Sequence, residues 1–313
     1  MRISTSMMFE RGLNAMQNRQ SDLSRTGEQI ASGKKIVAPS DDPRSASQAL
    51  IVKQDQAIQS QFESSRTSAT SALEAQENAL SGVSDLLNRA KGLVVQAGNG
   101  TMSDGDRQSV ASDLEGIYNG LMSLGNSQDS NGLHIFSGSQ GNTQPFVEEV
   151  GQDGSMTVSY EGDSEPLEMR VDASRLMNVN ASGDEMFRTP ATDQDEESSI
   201  FNVFQEAIGA LRNDDLSAEE RRATIDQVNR QLGSGSDNVL QARTSIGTRL
   251  NELDVLEDIG ASRTISNAST ISSLEDLDYA EAISRYTLGQ IGLEASQKMF
   301  NQVQQTSLFN LIR

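Results

Sequence analysis

Cysteine and histidine, two residue types that often carry nucleophilic, acid–base or metal chemistry, are nearly absent from this chain of 313 residues. It has no cysteine, so disulfides, thiolate ligands and cysteine nucleophiles are excluded. His134 is its one histidine, and it stands in the apolar run 133–136 (LHIF), where we interpret it as a packed or solvated strand residue. The sequence has no Gly-x-Ser-x-Gly motif that would pair a serine nucleophile with His134. We therefore expect a protein that is not an enzyme and that binds no cofactor.

Other short patterns that resemble ligand sites are each incomplete. The acidic run 193–195 (DQD) lacks the glycine and the closing glutamate of a calcium-binding loop. The run 233–235 (GSG) lacks the third glycine and the strand–helix context of a dinucleotide-binding loop. The adjacent carboxylates Glu148 and Glu149 are interpreted as part of a solvated face. The sequence thus predicts neither a metal site nor a nucleotide site.

The net charge restricts the partners that the protein can have. Its formal value is −20, which argues against nucleic acid and against anionic membrane surfaces as partners. No run of about 18 apolar residues is present, so we expect no membrane insertion. Residues 1–13 contain no continuous apolar stretch and are no Sec signal peptide. If the protein leaves the cell, we expect another machine to carry it.

Apolar residues form two stripes, one near each end of the chain, and the remaining elements of the fold must position these stripes. Their members are mainly seven residues apart, a spacing that lines one side of a helix and favours packing against a second helix. We interpret the ends as helices that meet each other and their neighbours in an assembly; the alternative is an intramolecular coiled coil with no assembly role. The candidate interface residues are Phe9, Leu13, Met16, Leu23 and Ile30 in the first stripe, and Tyr279, Ile283, Tyr286, Leu293, Phe300 and Leu311 in the second.

The stripes are sparse, because polar residues and a glycine interrupt them. Gln20 and Gly27 stand in the first stripe, and Gln290 and Gln297 stand in the second. Ordering the backbone of two helices costs much conformational entropy, and so few buried side chains offset little of it. We expect the ends to be largely disordered in the monomer and to fold when neighbouring subunits cover them.

A proline-flanked corner follows the first stripe at residues 39–43 (PSDDP). Pro39 stops a helix, Asp41 or Asp42 can cap the next one, and Pro43 suits the first turn of that helix. The simpler interpretation of this corner motif is a helix cap with a bend. The alternative adds a contact between one of the two aspartates and a basic residue of another subunit.

The remaining patterns indicate a mainly α fold. One long helix is expected over 44–97, a third helix begins after a cap at 103–106, and another long helix follows a capping box at 217–220. Short runs rich in β-branched and aromatic residues at 133–136, 146–147, 156–160 and 167–171 predict a small antiparallel β module. The expected architecture is a long antiparallel, coiled-coil-like helical rod built from both chain ends, with an inserted β domain. Its predicted domains are 1–42 with 276–313 for assembly, 43–130 with 190–275 for the rod, and 131–189 for the β domain.

The ends of the chain resemble a known family. The runs 30–36 (IASGKKI) and 39–43 (PSDDP) resemble the amino-terminal signature of the bacterial flagellin family, and 300–313 (FNQVQQTSLFNLIR) resembles its terminal helix. Within the family, PSDDP, the pair 136–138 (FSG) and 145–146 (PF), and the ending 307–310 (SLFN) favour the hook–filament junction type. A filament flagellin subunit is the alternative.

The resemblance implies a structural adaptor that is secreted and lies outside the cell, at the hook–filament junction of the bacterial flagellum. Export unfolded through the flagellar type III apparatus, with an export chaperone, is implied as well. The expected partners are copies of the chain in a ring, a hook-side junction protein and filament flagellin. The terminal helices would line the inner tube, and the β module would face outward.

Overall fold

The structure, a computed structural model, describes residues 2–99, 102–150, 156–180, 182–191, 195 and 198–309, with the backbone alone for 2–6, 8 and 303–309. Long helices dominate the described chain, and short antiparallel strands lie near its middle, so the expected mainly α fold is confirmed. The helices are α1 (Arg2–Ser32), α2 (Pro43–Ala97), α3 (Asp104–Gly125), α4 (Gly183–Met186), α5 (Ile200–Arg212), α6 (Ala218–Glu275) and α7 (Tyr279–Phe309). The strands are β1 (Phe146–Val150), β2 (Met156–Tyr160), β3 (Glu168–Asp172), β4 (Arg175–Asn178), β5 (Arg188–Thr189) and β6 (Ser198–Ser199).

Capping side chains fix where the helices begin. At α3 the Ser103 hydroxyl accepts a hydrogen bond from the Asp106 N–H, and the Asp106 carboxylate accepts one from the Ser103 N–H in return. Ser217 and Glu220 make the same reciprocal pair before α6. Each pair satisfies amide groups that have no partner inside the helix. The caps predicted at 103–106 and 217–220 are therefore confirmed.

The described residues form two compact units. Unit 1 lies within 1–59 and 261–313, and unit 2 lies within 60–260. The charge divides unequally: unit 1 has 12 Lys and Arg against 11 Asp and Glu, a net of +1, whereas unit 2 has 13 against 34, a net of −21. The three-domain division expected from the sequence stays a prediction.

The core of unit 2 is a helical seam that the periodicity predicts. Every seventh residue of α6 from Ile225 to Leu253 is buried, and so is the α2 series that includes Leu73, Leu80 and Leu87. Two ion pairs show that the helices run antiparallel, because residues later in α2 pair with residues earlier in α6. These pairs are Arg66 with Glu257 at 2.7 Å and Glu77 with Arg243 at 2.6 Å.

The β region of unit 2 consists of hairpins around an aromatic cluster. In the β1–β2 hairpin Phe146 lies opposite Tyr160. The Phe146 ring centroid is 4.6 Å from that of Phe201 and 5.0 Å from that of Phe187. The strand predicted at 133–136 is wrong. Phe136 in that run lies in a loop and is fully buried, and its ring centroid is 5.4 Å from that of Phe187 in an edge contact. Phe136 is therefore apolar because it fills the core, and not because it belongs to a strand.

In unit 1, α1 and α7 pack antiparallel. Contacts near the start of α1 are made with the far part of α7, and contacts near its end are made with the beginning of α7. The α1 helix ends at Ser32, earlier than residue 38, where the sequence predicts that Pro39 stops it. Gly33 follows with φ +70°, a left-handed conformation that ends a helix before Pro39 is reached.

Candidate assembly interface

Glycines bring α1 and α7 close together in unit 1. A Cβ built on Gly27 would lie 3.6 Å from the Tyr286 ring, and one built on Gly289 would lie 3.3 Å from Leu23 Cδ1. Because glycine has no side chain, the partner residue can pack directly on the backbone. Gly27, which reads as an interruption of the first stripe, is therefore a contact position. Its spacing alone does not reveal this role.

The contact between α1 and α7 includes an aromatic pair near the start of α1. The ring centroids of Phe9 and Phe300 are 4.8 Å apart with an interplanar angle of 41°, a tilted arrangement that is favourable for aromatic rings. A Cβ on Gly12 would lie 3.6 Å from the Phe300 ring, so the same ring also covers the α1 backbone. The structure thus brings the ends of the two stripes together.

None of the described stripe residues is fully buried. Phe9 and Leu13 are about two fifths exposed, and Tyr279 and Ile283 are 50% and 53% exposed. The other described members are half-buried, and Leu311 lies outside the described residues. The side chains in question are Met16, Leu23, Ile30, Tyr286, Leu293 and Phe300. The pairing of α1 with α7 therefore leaves much of the apolar surface of both stripes open.

Further exposed apolar residues on α7 lie outside the predicted stripe. Leu288 is 66% exposed, Ile291 is 58% exposed and Met299 is 69% exposed. A seven-residue repeat does not include them, because Leu288 and Ile291 are three residues apart and Ile291 and Met299 are eight residues apart. A scan for any apolar residue on the outer face of the helix finds them. Exposed apolar residues grouped on one element are typical of a protein–protein contact.

In the corner motif, the side chain of Asp41 stabilises the turn that precedes it. One of its oxygens accepts hydrogen bonds from the N–H groups of Val37 and Ala38, at 3.1 and 3.0 Å. The other forms a 2.7 Å ion pair with Arg25. The pKa of Asp41 lies below its usual value, mainly because of the Ala38 N–H. Asp41 therefore has its basic partner within its own chain.

Asp42 is the cap of α2. Its carboxylate accepts hydrogen bonds from the Ser45 hydroxyl at 2.7 Å and from the Ser45 N–H at 3.2 Å, and these hold its pKa below the usual value. Pro43 is the first residue of the helix, where its missing N–H costs nothing. Pro39 lies in the preceding turn, exposed to solvent. The corner works as a cap with a bend, and its contact with another subunit stays a prediction.

Glu275, at the end of α6, joins three segments of unit 1. It pairs with Lys34 at 3.2 Å, just after α1, and also with Lys53 of α2. The backbone repeats this connection, because the Lys35 N–H donates to the Glu275 carbonyl at 2.7 Å and the Leu277 N–H donates to the Gly33 carbonyl at 3.1 Å. These contacts set where the terminal helices leave the rest of unit 1. Sequence periodicity gives no signal for them, since the partners lie more than 200 residues apart.

A groove of about 540 Å³ lies along the α1–α7 seam. Three arginines line it, Arg19 and Arg25 from α1 and Arg285 from α7, against one carboxylate, Asp22, and Leu23 and Leu288 are its apolar lining residues. Half of the Arg25 and Arg285 side-chain surface is exposed. The groove is thus basic with apolar patches, on a chain that is acidic as a whole.

The rest of the described chain offers little for small-molecule chemistry. Within it, no three histidine, aspartate or glutamate side chains are grouped closely enough to hold a metal ion. The His134 ring spans a turn, with Nδ1 2.8 Å from the Asn126 carbonyl and Nε2 3.1 Å from the Gln128 amide. None of the described helices combines the length and the hydropathy of a membrane span.

Comparison with known proteins gives two family matches. The bacterial flagellin N-terminal helical region matches residues 3–141, and the bacterial flagellin C-terminal helical region matches residues 217–312. The two regions together cover well over half of the chain, and they include all of α2, α3, α6 and α7 and all of α1 but its first residue.

Full-length relatives point the same way. Flagellar hook-associated protein 3 of Escherichia coli (strain K12) is 37% identical over 99% of each chain, and that of Salmonella typhimurium is 38% identical over 100% of each chain. Flagellins that match 97–98% of the chain are only 20–24% identical. The expected preference for the hook-associated type over filament flagellin is therefore confirmed.

A solved structure supports the fold. The crystal structure of the flagellar junction protein FlgL from Legionella pneumophila superposes with a TM-score of 0.61 and 22% identity, covering 73% of this chain and all of that one. At that identity the likeness shows the fold alone. Together with the family matches and the full-length relatives, it shows that this chain belongs to the bacterial flagellin family.

Proposed function

We propose that this chain is a structural adaptor, not an enzyme, which forms the hook–filament junction of the bacterial flagellum by assembling through its terminal helices. The observation that carries the proposal is the exposed apolar surface of α1 and α7. Leu288, Ile291 and Met299 are each more than half exposed, whereas the seam residues of unit 2 are buried. A stable isolated protein gains by burying such residues, so their exposure indicates surfaces that neighbouring subunits cover.

The partners follow from the same surface and from the hook-associated relatives. Copies of the chain form a ring, in which the half-buried stripe residues of one copy are covered by those of the next. A hook-side junction protein meets one face of the ring, and filament flagellin meets the other. The protein reaches this position through the flagellar type III export apparatus, with an export chaperone, and it works outside the cell.

Seeded assembly tests the proposal. The purified chain is added to hook fragments that carry the hook-side junction protein, and the products are viewed by electron microscopy. A junction adaptor gives short assemblies that stop and then accept flagellin. Long homopolymers from this chain alone would instead identify a filament subunit and overturn the proposal.

Variants locate the surface that assembles. Leu293→Asp places a charge on the second stripe, and Leu288→Asp places one on the exposed apolar surface of α7 outside it, so we expect folded monomers that do not add to the seeds. Leu240→Asp is the matched control, because Leu240 is also an exposed leucine on a long helix but belongs to unit 2. Normal assembly of Leu293→Asp would show that the terminal stripe is not the interface.

A further inference from the structure

In the arginine groove of unit 1, formed by Arg19, Arg25 and Arg285 with Leu23 and Leu288, Asp22 also lines the wall and two of the three arginines are paired, which leaves Arg19 as the cation without an ion pair among the described residues. Arg25 pairs with Asp41 at 2.7 Å, and Arg285 pairs with a neighbouring glutamate at the longer distance of 3.6 Å. Arg19 has no carboxylate within 4 Å among the described residues. A guanidinium beside apolar side chains favours a partner that brings both carboxylates and methyl groups.

The guanidinium of Arg19 lies against α7. A Cβ built on Gly292 would lie 3.0 Å from its Nη1, so the group rests on the α7 backbone. Leu288, at the edge of the groove, is two thirds exposed. The groove therefore presents a cation without an ion-pair partner next to an open apolar surface, which is the arrangement of an unfilled binding surface.

The distribution of charge between the two units indicates which part of a second copy supplies carboxylates to the groove. Unit 1 has a net charge of +1 and unit 2 has a net charge of −21. A second copy of the chain therefore supplies a strongly acidic unit to any basic surface of the first. Complementary potentials of this kind steer association and fix the register of the contact.

One surface of unit 2 has the chemistry that the groove requires. On α6, Asp254 and Asp258 are exposed one turn apart, and neither has an ion-pair partner among the described residues. Next to them are Val255, 58% exposed, and Ile259, 41% exposed. Two carboxylates and two apolar side chains thus share one outward patch, which we call the Asp254–Ile259 patch.

We propose that the arginine groove of one copy receives the Asp254–Ile259 patch of a second copy. This contact rests on the proposed assembly function and adds to it a specific pair of surfaces. Groove and patch are different surfaces, so the contact is heterologous and repeats from copy to copy into a ring or a helical stack. The contact supplies register, while the apolar stripes supply most of the buried area.

Charge reversal in a mixing experiment tests the contact. The groove variant is Arg19→Glu with Arg285→Glu, and the patch variant is Asp254→Lys with Asp258→Lys. Alone, each places like charges across the contact, so we expect the concentration needed for seeded assembly to rise about tenfold. Mixed in equal amounts, the two variants form an opposite-charge pair at every contact between unlike copies. The mixture is therefore expected to assemble near the wild-type concentration.

A matched control excludes a general effect of charge. Arg44→Glu with Arg89→Glu makes the same change in net charge on exposed arginines outside the groove, and it should assemble as wild type does. Circular dichroism confirms that each variant is folded. A groove variant that assembles normally, or a mixture that does no better than its components, overturns the contact. A mixture that fails while Leu293→Asp still blocks assembly leaves the proposed function standing, with the groove serving a different partner.

Discussion

The hydroxyl oxygen of Tyr279 lies against the backbone of Gly33, so close that a Cβ on Gly33 would be 2.8 Å from it. Gly33 also has φ +70°, which L-residues with a side chain rarely adopt. Glycine at this position therefore allows the left-handed turn that ends α1 and leaves room for Tyr279 at the start of α7. We expect Gly33→Ala to lower the free energy of unfolding of unit 1 by about 2 kcal/mol. Thermal unfolding of the assembled protein, in which α1 and α7 are expected to be ordered, measures the change by circular dichroism.

A second variant separates the steric cause of this destabilisation, contact with Tyr279, from the backbone cause, the positive φ of Gly33. In a Tyr279→Phe background the hydroxyl is gone, so the steric part of the Gly33→Ala penalty should disappear and the backbone part of about 1 kcal/mol should remain. An unchanged penalty in that background would show that contact with Tyr279 contributes nothing.

The buried guanidinium of Arg66 is expected to be important for unit 2. Its side chain is 4% exposed and bonds to Glu257 at 2.7 Å and to the Val171 carbonyl at 3.3 Å, so it ties α2 to α6 and β3. Arg66→Ala removes the packing and leaves Val171 without its donor. We expect a loss of about 3 kcal/mol in urea unfolding. Glu257→Gln is the control, because Glu257 is half exposed and its amide keeps a hydrogen bond, and it should cost less than 1 kcal/mol.

The stability of unit 1 should depend on the protonation of Glu275. Its pKa lies below the usual 4.5, chiefly because of the hydrogen bond from Lys53 and then that from Lys34. A lowered pKa in the folded state means that the stabilisation is complete above about pH 4.5 and is lost as the pH falls through the folded-state value. Glu275→Gln should lower the melting temperature at pH 7 and remove this step from the acid side of the profile. A variant that keeps the wild-type acid profile would assign the step to another carboxylate.

Amide hydrogen exchange on the dilute monomer tests the expectation that the chain ends order only on assembly. The α2 series from Leu73 to Val94 is buried and should be strongly protected. Met16 and Leu293 are only half-buried and should exchange orders of magnitude faster. Protection of Met16 or Leu293 at the level of Leu80 would show that the terminal helices are stable without neighbours.

Local signals predict the helices well, because their causes are local. Asp42 with Pro43, and Ser103 with Asp106, place helix starts that depend only on side chains within three residues. The end of α1 is missed by six residues, since Gly33 in its left-handed conformation acts before Pro39. A glycine shortly after the last apolar residue of a helix, here Gly33 after Ile30, is itself a stop signal.

The contacts between distant parts of the chain are what the sequence leaves open. Phe136 looks like a strand residue, and only the packing of Phe187 against it shows that it is a loop residue of the core. Lys53 and Glu275 carry ordinary surface charges in the sequence, and their pairing depends on how the helices of unit 1 pack. The stripe residues, by contrast, are found by spacing, and the contact of Phe9 with Phe300 agrees with the pairing of the two ends.

The uneven charge of the two units has a consequence for behaviour in solution. With −21 confined to unit 2, free copies repel one another through that unit over about 30 Å in dilute buffer, but over only about 8 Å at physiological ionic strength. The nearly neutral unit 1 feels little of this repulsion. Added salt should therefore weaken this long-range repulsion between free copies, and desalting should keep concentrated stocks of the protein dispersed.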